Sequence, residues 1–320
     1  MTKIIKDGFS IETKDEKSFY FIGVTTTKSS IMKLFPLWIK ELGFGDIKIY
    51  PCDLKIHDEP QNYRQVVAQI KYDDGCFGAL ITTHKMDLYS ATKDMFSYLD
   101  NYALLLDEIS CISKKNGMLE GYAKDPISAC ASHDSFIKKG YYGDTGAHVL
   151  IFGAGGSSIA TILHLINKQD KADRPEKIIV INRSQPRLSH LEEIIKKVKT
   201  DIKIKTILNN DAVFNDAILQ KLPEHSIVIN ATGMGKDTSG SPITDKGLFP
   251  KYGWVWDFNY RGELDFIYQA ERQVKSRGVK VENGWMYFIH GWTQVISQVL
   301  HIDLTPDLFD KLKDIANSIR

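Results

Sequence analysis

Apolar and polar positions alternate along the chain in blocks that read as strands and helices in turn. From Tyr20 the segment YFIGVTTT is a short apolar run ending in glycine and hydroxyl residues, which predicts a buried strand running into a loop. In the following SSIMKLFPLWIKELGF, Ile31, Leu34, Leu37, Trp38 and Leu42 recur at helical spacing, so a helix is expected over 29–43 with Gly43 as its stop. Pro36 inside that span predicts a kink or a late start. Residues 47–54 (IKIYPCDL) read as a second strand, NYRQVVAQIKY as a helix, and CFGALITTHK as a third strand ending in a polar loop. This βαβαβ order predicts a parallel sheet. A helix-like stretch follows over 88–106, and Asn116-Gly117 between apolar runs signals a hairpin that closes the first domain.

A second α/β series opens at AHVLIFGAGGSSIATILHLI (147–166), an apolar strand, a glycine turn and an apolar helix in immediate succession. KIIVINRS, HSIVINATGMG and YGWVWDFNY supply further strands with helical segments between them, which predicts a doubly wound sheet. From Gly284 the tail reads as two helices separated by the Pro306 region, apolar enough that they must pack on something. The expected fold class is therefore α/β with two domains. Residues 1–124 with 284–320 are expected to form one domain with a mainly parallel sheet and 125–283 a Rossmann-like doubly wound domain, with a cleft between them.

Composition narrows the function classes. Across 320 residues, 41 Lys and Arg nearly balance 40 Asp and Glu, so no global field gathers nucleic acid or an anionic membrane, and any anion site must be local. No stretch approaches the length of a membrane span and the first ten residues lack the apolar run of a secretory signal, so a cytoplasmic enzyme is expected. Cys52, Cys76, Cys111 and Cys130 form no CxxC pair and are read as having no histidine at ligand spacing. Reduced thiols and no metal are expected.

The cofactor signal is local. Gly153, Ala154, Gly155, Gly156 and Ser157 stand between strand and helix, with Ala160 small enough for close helix-to-strand packing. Gly153 suits a tight turn, Gly155 lets a pyrophosphate approach the backbone, and the helix N-terminus offers N–H groups and a positive dipole end. The alternative is a glycine turn that binds nothing. At the end of the next strand, an acidic residue for a ribose 2′-hydroxyl is replaced by Asn182, Arg183, Ser184 and, shortly after, Arg187. Two guanidinium groups and a hydroxyl fit a 2′-phosphate, which favours NADP over NAD; a solvated loop is the bland alternative. Asn230, Ala231 and Thr232 follow a later strand, where small residues let a nicotinamide ribose approach the backbone.

Eight segments stand in a telling order: Thr27-Lys28-Ser29, Ile81-Thr82-Thr83-His84-Lys85, Gly121-Tyr122-Ala123-Lys124-Asp125, the GAGG turn, Asn182-Arg183-Ser184, Asn230-Ala231-Thr232, Asp257-Phe258-Asn259-Tyr260, and Gly284 onward. This order resembles the shikimate and quinate dehydrogenases over almost the whole chain. The resemblance implies an NADP-dependent alcohol dehydrogenase of aromatic amino acid biosynthesis. In it, Lys85 and Asp125 handle the hydroxyl proton, with ordinary surface charges as the plain alternative, Thr27 and Ser29 hold a substrate carboxylate, and Thr82, Ser113 and Tyr260 line the substrate; His290, which the family pattern does not supply, is a further candidate contact with a structural histidine as its alternative. For Ser29 a helix N-cap is the plain alternative, and for Tyr260 a core tyrosine.

The departures cluster around the substrate. The loop before Lys85 lacks the family proline, the family Ala-Val-Asn-Thr reads Cys111-Ile112-Ser113-Lys114, Ala123-Lys124 replace an Asn-Thr pair, and Gly291 stands where a glutamine is usual, with His290 beside it. Such losses remove polar contacts to a hydroxylated ring. Shikimate and 3-dehydroshikimate remain the default. Quinate, aminoshikimate or another cyclic hydroxy acid is the alternative, as is a non-catalytic NADP-binding regulatory module. The expected partner is a small molecule, with the chain a monomer or homodimer.

Overall fold

The computed structural model describes residues 2–236 and 238–320. The chain divides into two compact units, one of the residues up to Lys124 with Gly291–Arg320, the other Asp125–His290.

The first unit opens with a two-stranded hairpin, β1 (Thr2–Lys6) against β2 (Phe9–Thr13), which the sequence reading left without an element. Its turn is Asp7-Gly8, both at positive φ, the backbone that matches strand twist in a two-residue loop. Next come β3 (Ser18–Gly23), α1 (Ile31–Glu41), β4 (Lys48–Asp53), α2 (Pro60–Tyr72) and β5 (Cys76–Ile81), the expected βαβαβ series. Every residue of β3 is buried, as befits a strand paired in parallel on both edges, to β4 and β5. α1 buries Ile31, Leu34, Phe35, Trp38 and Ile39 on one stripe and carries Pro36 in its interior.

Beyond β5 the expected 88–106 helix is corrected. The chain instead forms α3 (Lys85–Thr92), a 3-10 turn, the two-residue strand β6 (Tyr98–Leu99) and α4 (Asn101–Leu106). Thr92 turns its hydroxyl onto the carbonyl of Leu88, and Asp100 caps α4 through the N–H of Ala103, so local side-chain bonds cut the pattern into pieces. β7 (Cys111–Lys115) and β8 (Met118–Tyr122) meet at Asn116-Gly117, both at positive φ, as the hairpin signal required. The sheet order is β4-β3-β5-β7-β8-β6, and because β5 pairs antiparallel with β7 the sheet is mixed beyond its three parallel strands.

The second unit starts at α5 (Asp125–Phe136) and α6 (Tyr141–Thr145), then alternates β9 (Val149–Phe152), α7 (Gly156–Asn167), β10 (Lys177–Asn182), α8 (Gln185–Val198), β11 (Lys203–Leu208), α9 (Ala212–Leu219) and β12 (Ile227–Asn230). β13 (Trp254–Asp257), α10 (Asp265–Glu271), α11 (Val274–Arg277) and β14 (Lys280–Glu282) complete it. All pairings are parallel, in the order β11-β10-β9-β12-β13-β14. This is the 3-2-1-4-5-6 order of a dinucleotide-binding fold, whose switch point falls between β9 and β12. Leu150, Phe152, Val228, Val255 and Phe266 form the core on one of its faces.

α12 (Trp285–Leu300) runs across the boundary of the two units, and α13 (Pro306–Ser318) is capped by the Thr305 hydroxyl, which accepts from the N–H of Leu308. Trp38 of α1 donates its indole N–H to the Leu312 carbonyl at 2.7 Å, which answers what the tail packs on. Among the described residues no helix is long and apolar enough to cross a membrane.

Candidate active site

In the second unit the glycine turn joins β9 to α7 at the switch point. Gly153 sits at φ +107, and a Cβ there would stand 2.7 Å from the Ala231 carbonyl oxygen, so both backbone conformation and space require glycine. Gly155 is the N-cap of α7 with no side chain capping the helix, which leaves the first-turn N–H groups of Gly156 and Ser157 to serve an anion. Ser158, fully buried, donates its hydroxyl to the Gly153 carbonyl at 2.9 Å and pins the turn, a role the sequence reading did not assign. Ala154 and Ala160 are buried where the helix meets the sheet.

β10 ends beside this turn. Asn182 donates to the Ser184 carbonyl at 3.2 Å and shapes the bend into α8, while Arg183 and Arg187 are exposed. Arg187 brings Nη1 to 3.7 Å from the point where a Gly155 Cβ would stand. A guanidinium from the second βα unit thus faces the glycine turn of the first. Between β12 and β13, Asn230 is fully buried and links the neighbouring loops. Its Oδ1 accepts from the N–H and hydroxyl of Thr232, and its Nδ2 donates to Asp257 at 3.1 Å. Asn259 donates its backbone N–H to Asp257 and its Nδ2 to the carbonyls of Thr232 and Met234. Burial pushes the Asp257 carboxyl up to about 7 against those hydrogen bonds. Asp257 and Asn259 hold the 230–234 loop, a tertiary role that the Asp257-Phe258-Asn259-Tyr260 motif does not itself reveal.

Tyr260 follows β13, half-buried, with its ring 5.3 Å from Trp285 and 4.9 Å from Phe288. His290 is nearly buried on α12. Asp125 is the first residue of α5, where the helix dipole favours a negative charge.

In the first unit Thr27 is exposed in the 3-10 turn Thr26–Lys28 and Ser29 closes that turn. Neither Ser29 nor Ser30 caps α1 through its side chain, so the helix-cap alternative fails. The turn is held instead by Asp53 at the end of β4, which accepts from Thr26 at the backbone N–H (2.8 Å) and at the hydroxyl (2.6 Å). Gly23 before it has no room for a Cβ, which would meet Thr82 Oγ1 at 2.7 Å. Thr82 turns its hydroxyl to the Ile22 carbonyl at 3.2 Å. His84 is fully buried with Nε2 3.0 Å from the Gly23 carbonyl and Nδ1 3.2 Å from the Tyr63 hydroxyl, a structural tie between two loops. Lys85 follows at the first position of α3, half-buried.

Two substitutions noted in the sequence are absorbed internally. Ser113 has no exposed surface and donates its hydroxyl to the Gln298 carbonyl at 3.3 Å, which gives it a packing role. Lys124, the cation next to Asp125 in sequence, points its amine to Gln298 Oε1 at 2.6 Å and over the Tyr122 ring. The expectation that no histidine stands at ligand spacing from a cysteine is also corrected. Cys130 stands three residues before His133 on α5, and α7 brings His164 to the same place, a tertiary contact that linear spacing between distant segments does not show.

No family model matches the chain. The shikimate dehydrogenase (NADP(+)) of Nitrosopumilus maritimus is 26% identical over 187 residues, 56% of this chain and 61% of that one. The enzyme of the same name from Symbiobacterium thermophilum is 25% identical over 201 residues, 61% and 63% of the two chains. The chain thus spans about three fifths of the length of these curated relatives. Among solved structures, shikimate 5-dehydrogenase from Listeria monocytogenes in complex with shikimate and NAD superposes with a TM-score of 0.68 at 17% identity, over 98% of this chain and 99% of that one. The chain is related in sequence to NADP+-dependent shikimate dehydrogenases and has the shikimate dehydrogenase fold.

Proposed function

We propose that the chain is an NADP-dependent oxidoreductase that interconverts a carboxylate-bearing cyclic secondary alcohol and its ketone, with shikimate and 3-dehydroshikimate as the default pair. The observation that carries the reading is Arg187 facing Gly155 at the switch point of a 3-2-1-4-5-6 sheet. Fold alone does not specify chemistry, so the kinship in sequence supplies the reaction class. Gly153, Ala154, Gly155, Gly156 and Ser157 would hold the pyrophosphate, Asn182, Arg183, Ser184 and Arg187 the 2′-phosphate, and Asn230, Ala231 and Thr232 the nicotinamide ribose. The bound nicotinamide would supply the hydride acceptor in one direction and the donor in the other.

The remaining work falls to the chain's own residues. Lys85 takes the hydroxyl proton as the carbonyl forms and returns it in reduction, and Asp125 orients and neutralises the resulting ammonium. Thr27 and Ser29 donate hydroxyls to the substrate carboxylate on a turn that Asp53 keeps in shape. Tyr260 and His290 complete the contacts to the ring. A cytoplasmic place and a role in aromatic amino acid biosynthesis belong to the same reading.

A second substrate reading rests on Gln298, which takes up both the Ser113 hydroxyl and the Lys124 amine. With those two positions turned inward, a ring with a different set of polar groups, such as quinate or an aminoshikimate-like acid, is the alternative to shikimate. Lys85→Ala tests the reaction class. Turnover should fall by about 10²-fold or more, with NADPH affinity unchanged. Unaltered turnover would remove Lys85 from the chemistry.

A further inference from the structure

α5 presents Cys130, His133 and Asp134 at i, i+3 and i+4, the spacing that puts three side chains on one helix face. α7 packs against that face and adds His164. The ligand-capable atoms of Cys130, Asp134 and His164 all lie within 4.8 Å of one another. His133 Nδ1 and His164 Nε2 are 3.3 Å apart, and Cys130 Sγ is 3.8 Å from Asp134 Oδ2. Tetrahedral zinc with bonds of about 2.0–2.3 Å separates its donors by roughly 3.3–3.8 Å. Both imidazoles also reach Asp134 Oδ1, at 2.8 and 3.0 Å.

The surroundings match a metal centre in a further respect. His133 is fully buried, and its Nε2 lies 2.8 Å from the hydroxyl of the equally enclosed Tyr142. A hydroxyl can accept as well as donate, so Tyr142 can hold the tautomer that leaves the Nδ1 lone pair for a cation. Two features oppose a cation: the imidazoles stand at hydrogen-bond distance from Asp134 Oδ1, closer than two ligands of one zinc ion, and Lys168 Nζ is 3.4 Å from the same oxygen, though it is also 3.1 Å from Asp173 Oδ2 and has that carboxylate to turn to.

We propose that Cys130, Asp134 and His164 bind Zn2+ and that His133, whose Nδ1 stands 3.3 Å from His164 Nε2, supplies the fourth ligand. Binding exchanges the Cys130 thiol proton for a sulfur–zinc bond and releases that proton to solvent. The thiolate and carboxylate then balance the two positive charges of the ion. The site clamps α5, which begins at Asp125, to α7, which begins at the glycine turn. It therefore ties two segments of the second unit that carry functional residues, while its own residues stand outside the cofactor and substrate sets.

The test uses the full chain stripped with a chelator, titrated with Co2+ as a spectroscopic probe and then with Zn2+ in competition. One equivalent of Co2+ should give tetrahedral ligand-field bands with a thiolate charge-transfer band, and Zn2+ should displace it. Cys130→Ser should abolish the charge-transfer band. His164→Ala should weaken Zn2+ by more than about 100-fold, beyond the roughly 10–100-fold that losing the supporting hydroxyl in Tyr142→Phe should produce. Lys168→Gln should tighten binding. Should His164→Ala fail to fold, Cys130→Ser and Lys168→Gln decide. A wild-type chain that gives no such bands, or one whose spectrum and affinity survive Cys130→Ser and ignore Lys168→Gln, overturns the site and leaves the cluster a hydrogen-bonded clamp.

Discussion

Replacing Arg187 with alanine separates a 2′-phosphate site from every other role the residue could have. Its guanidinium sits 3.7 Å from the Cβ position of Gly155 and is exposed to solvent, so water screens its attraction to an anion. At about 5 Å, a unit charge pair gains roughly 0.8 kcal/mol at the dielectric of water and roughly 3 kcal/mol at an effective value near 20. A charge-assisted hydrogen bond falls in the same interval, about 1.5–3 kcal/mol. That corresponds to an NADPH dissociation constant raised by roughly 10- to 150-fold. NADH has no 2′-phosphate, so its binding should change by less than about threefold on the same accounting. Fluorescence titration with both reduced cofactors measures the two effects side by side, and raising the salt concentration should shrink the NADPH effect. Equal weakening of both would place Arg187 on the pyrophosphate shared by the two cofactors. No change in either would make it a solvated surface residue, and both results refute the 2′-phosphate assignment.

Other consequences are equally direct. Gly153→Ala forces a side chain into φ +107 and against the Ala231 carbonyl; thermal denaturation should show a loss of about 1–3 kcal/mol and cofactor titration a matching loss of affinity, whereas an unchanged melting curve would deny the strain. Burial raises the folded-state pKa of Asp257 to about 7, well above the ordinary carboxylate range. The folded chain therefore holds this proton where the unfolded chain has lost it, and its stabilising effect, full below pH 4, is lost as pH rises towards 7. Asp257→Asn should remove a slope of about 1.4 kcal/mol per pH unit from the stability profile in that window, taken as the difference from wild type. Identical pH profiles for the two proteins would show that the carboxylate is ionised throughout.

Much of the second unit can be read from the chain because its signals are local. A fully apolar strand, glycines at fixed positions and an apolar helix between Val149 and Asn167 leave little else to form. Asn116-Gly117 is equally local. The stretch after Lys85 is not, because its apolar residues keep a helix-like rhythm while Thr92 and Asp100 bond to nearby backbone and break it without any glycine or proline. The antiparallel turn of the first sheet at β7 is hidden because a buried apolar run looks the same in either direction.

The site divides along the same line. The glycine turn and the arginines follow one another within 35 residues, but Asp53 reaches Thr26 from 27 residues away, and Gln298 meets Lys124 from 174. His133 and His164 meet only because α5 and α7 pack together. Such contacts depend on the assembled fold. Sequence patterns can nominate Ser113 for a substrate, but only the packed structure shows its hydroxyl on the Gln298 carbonyl.

The most direct test of the proposed function is an assay of the purified chain with NADP+ and with NAD+ against shikimate, quinate, an aminoshikimate and other cyclic hydroxy acids, followed by the absorbance of the reduced nicotinamide. Oxidation of at least one of these acids, faster with NADP+ than with NAD+ and abolished by Lys85→Ala, is the expected result. Tight NADP+ binding with no turnover on any acid, unaffected by Lys85→Ala, would contradict it and make the chain a nucleotide-binding module.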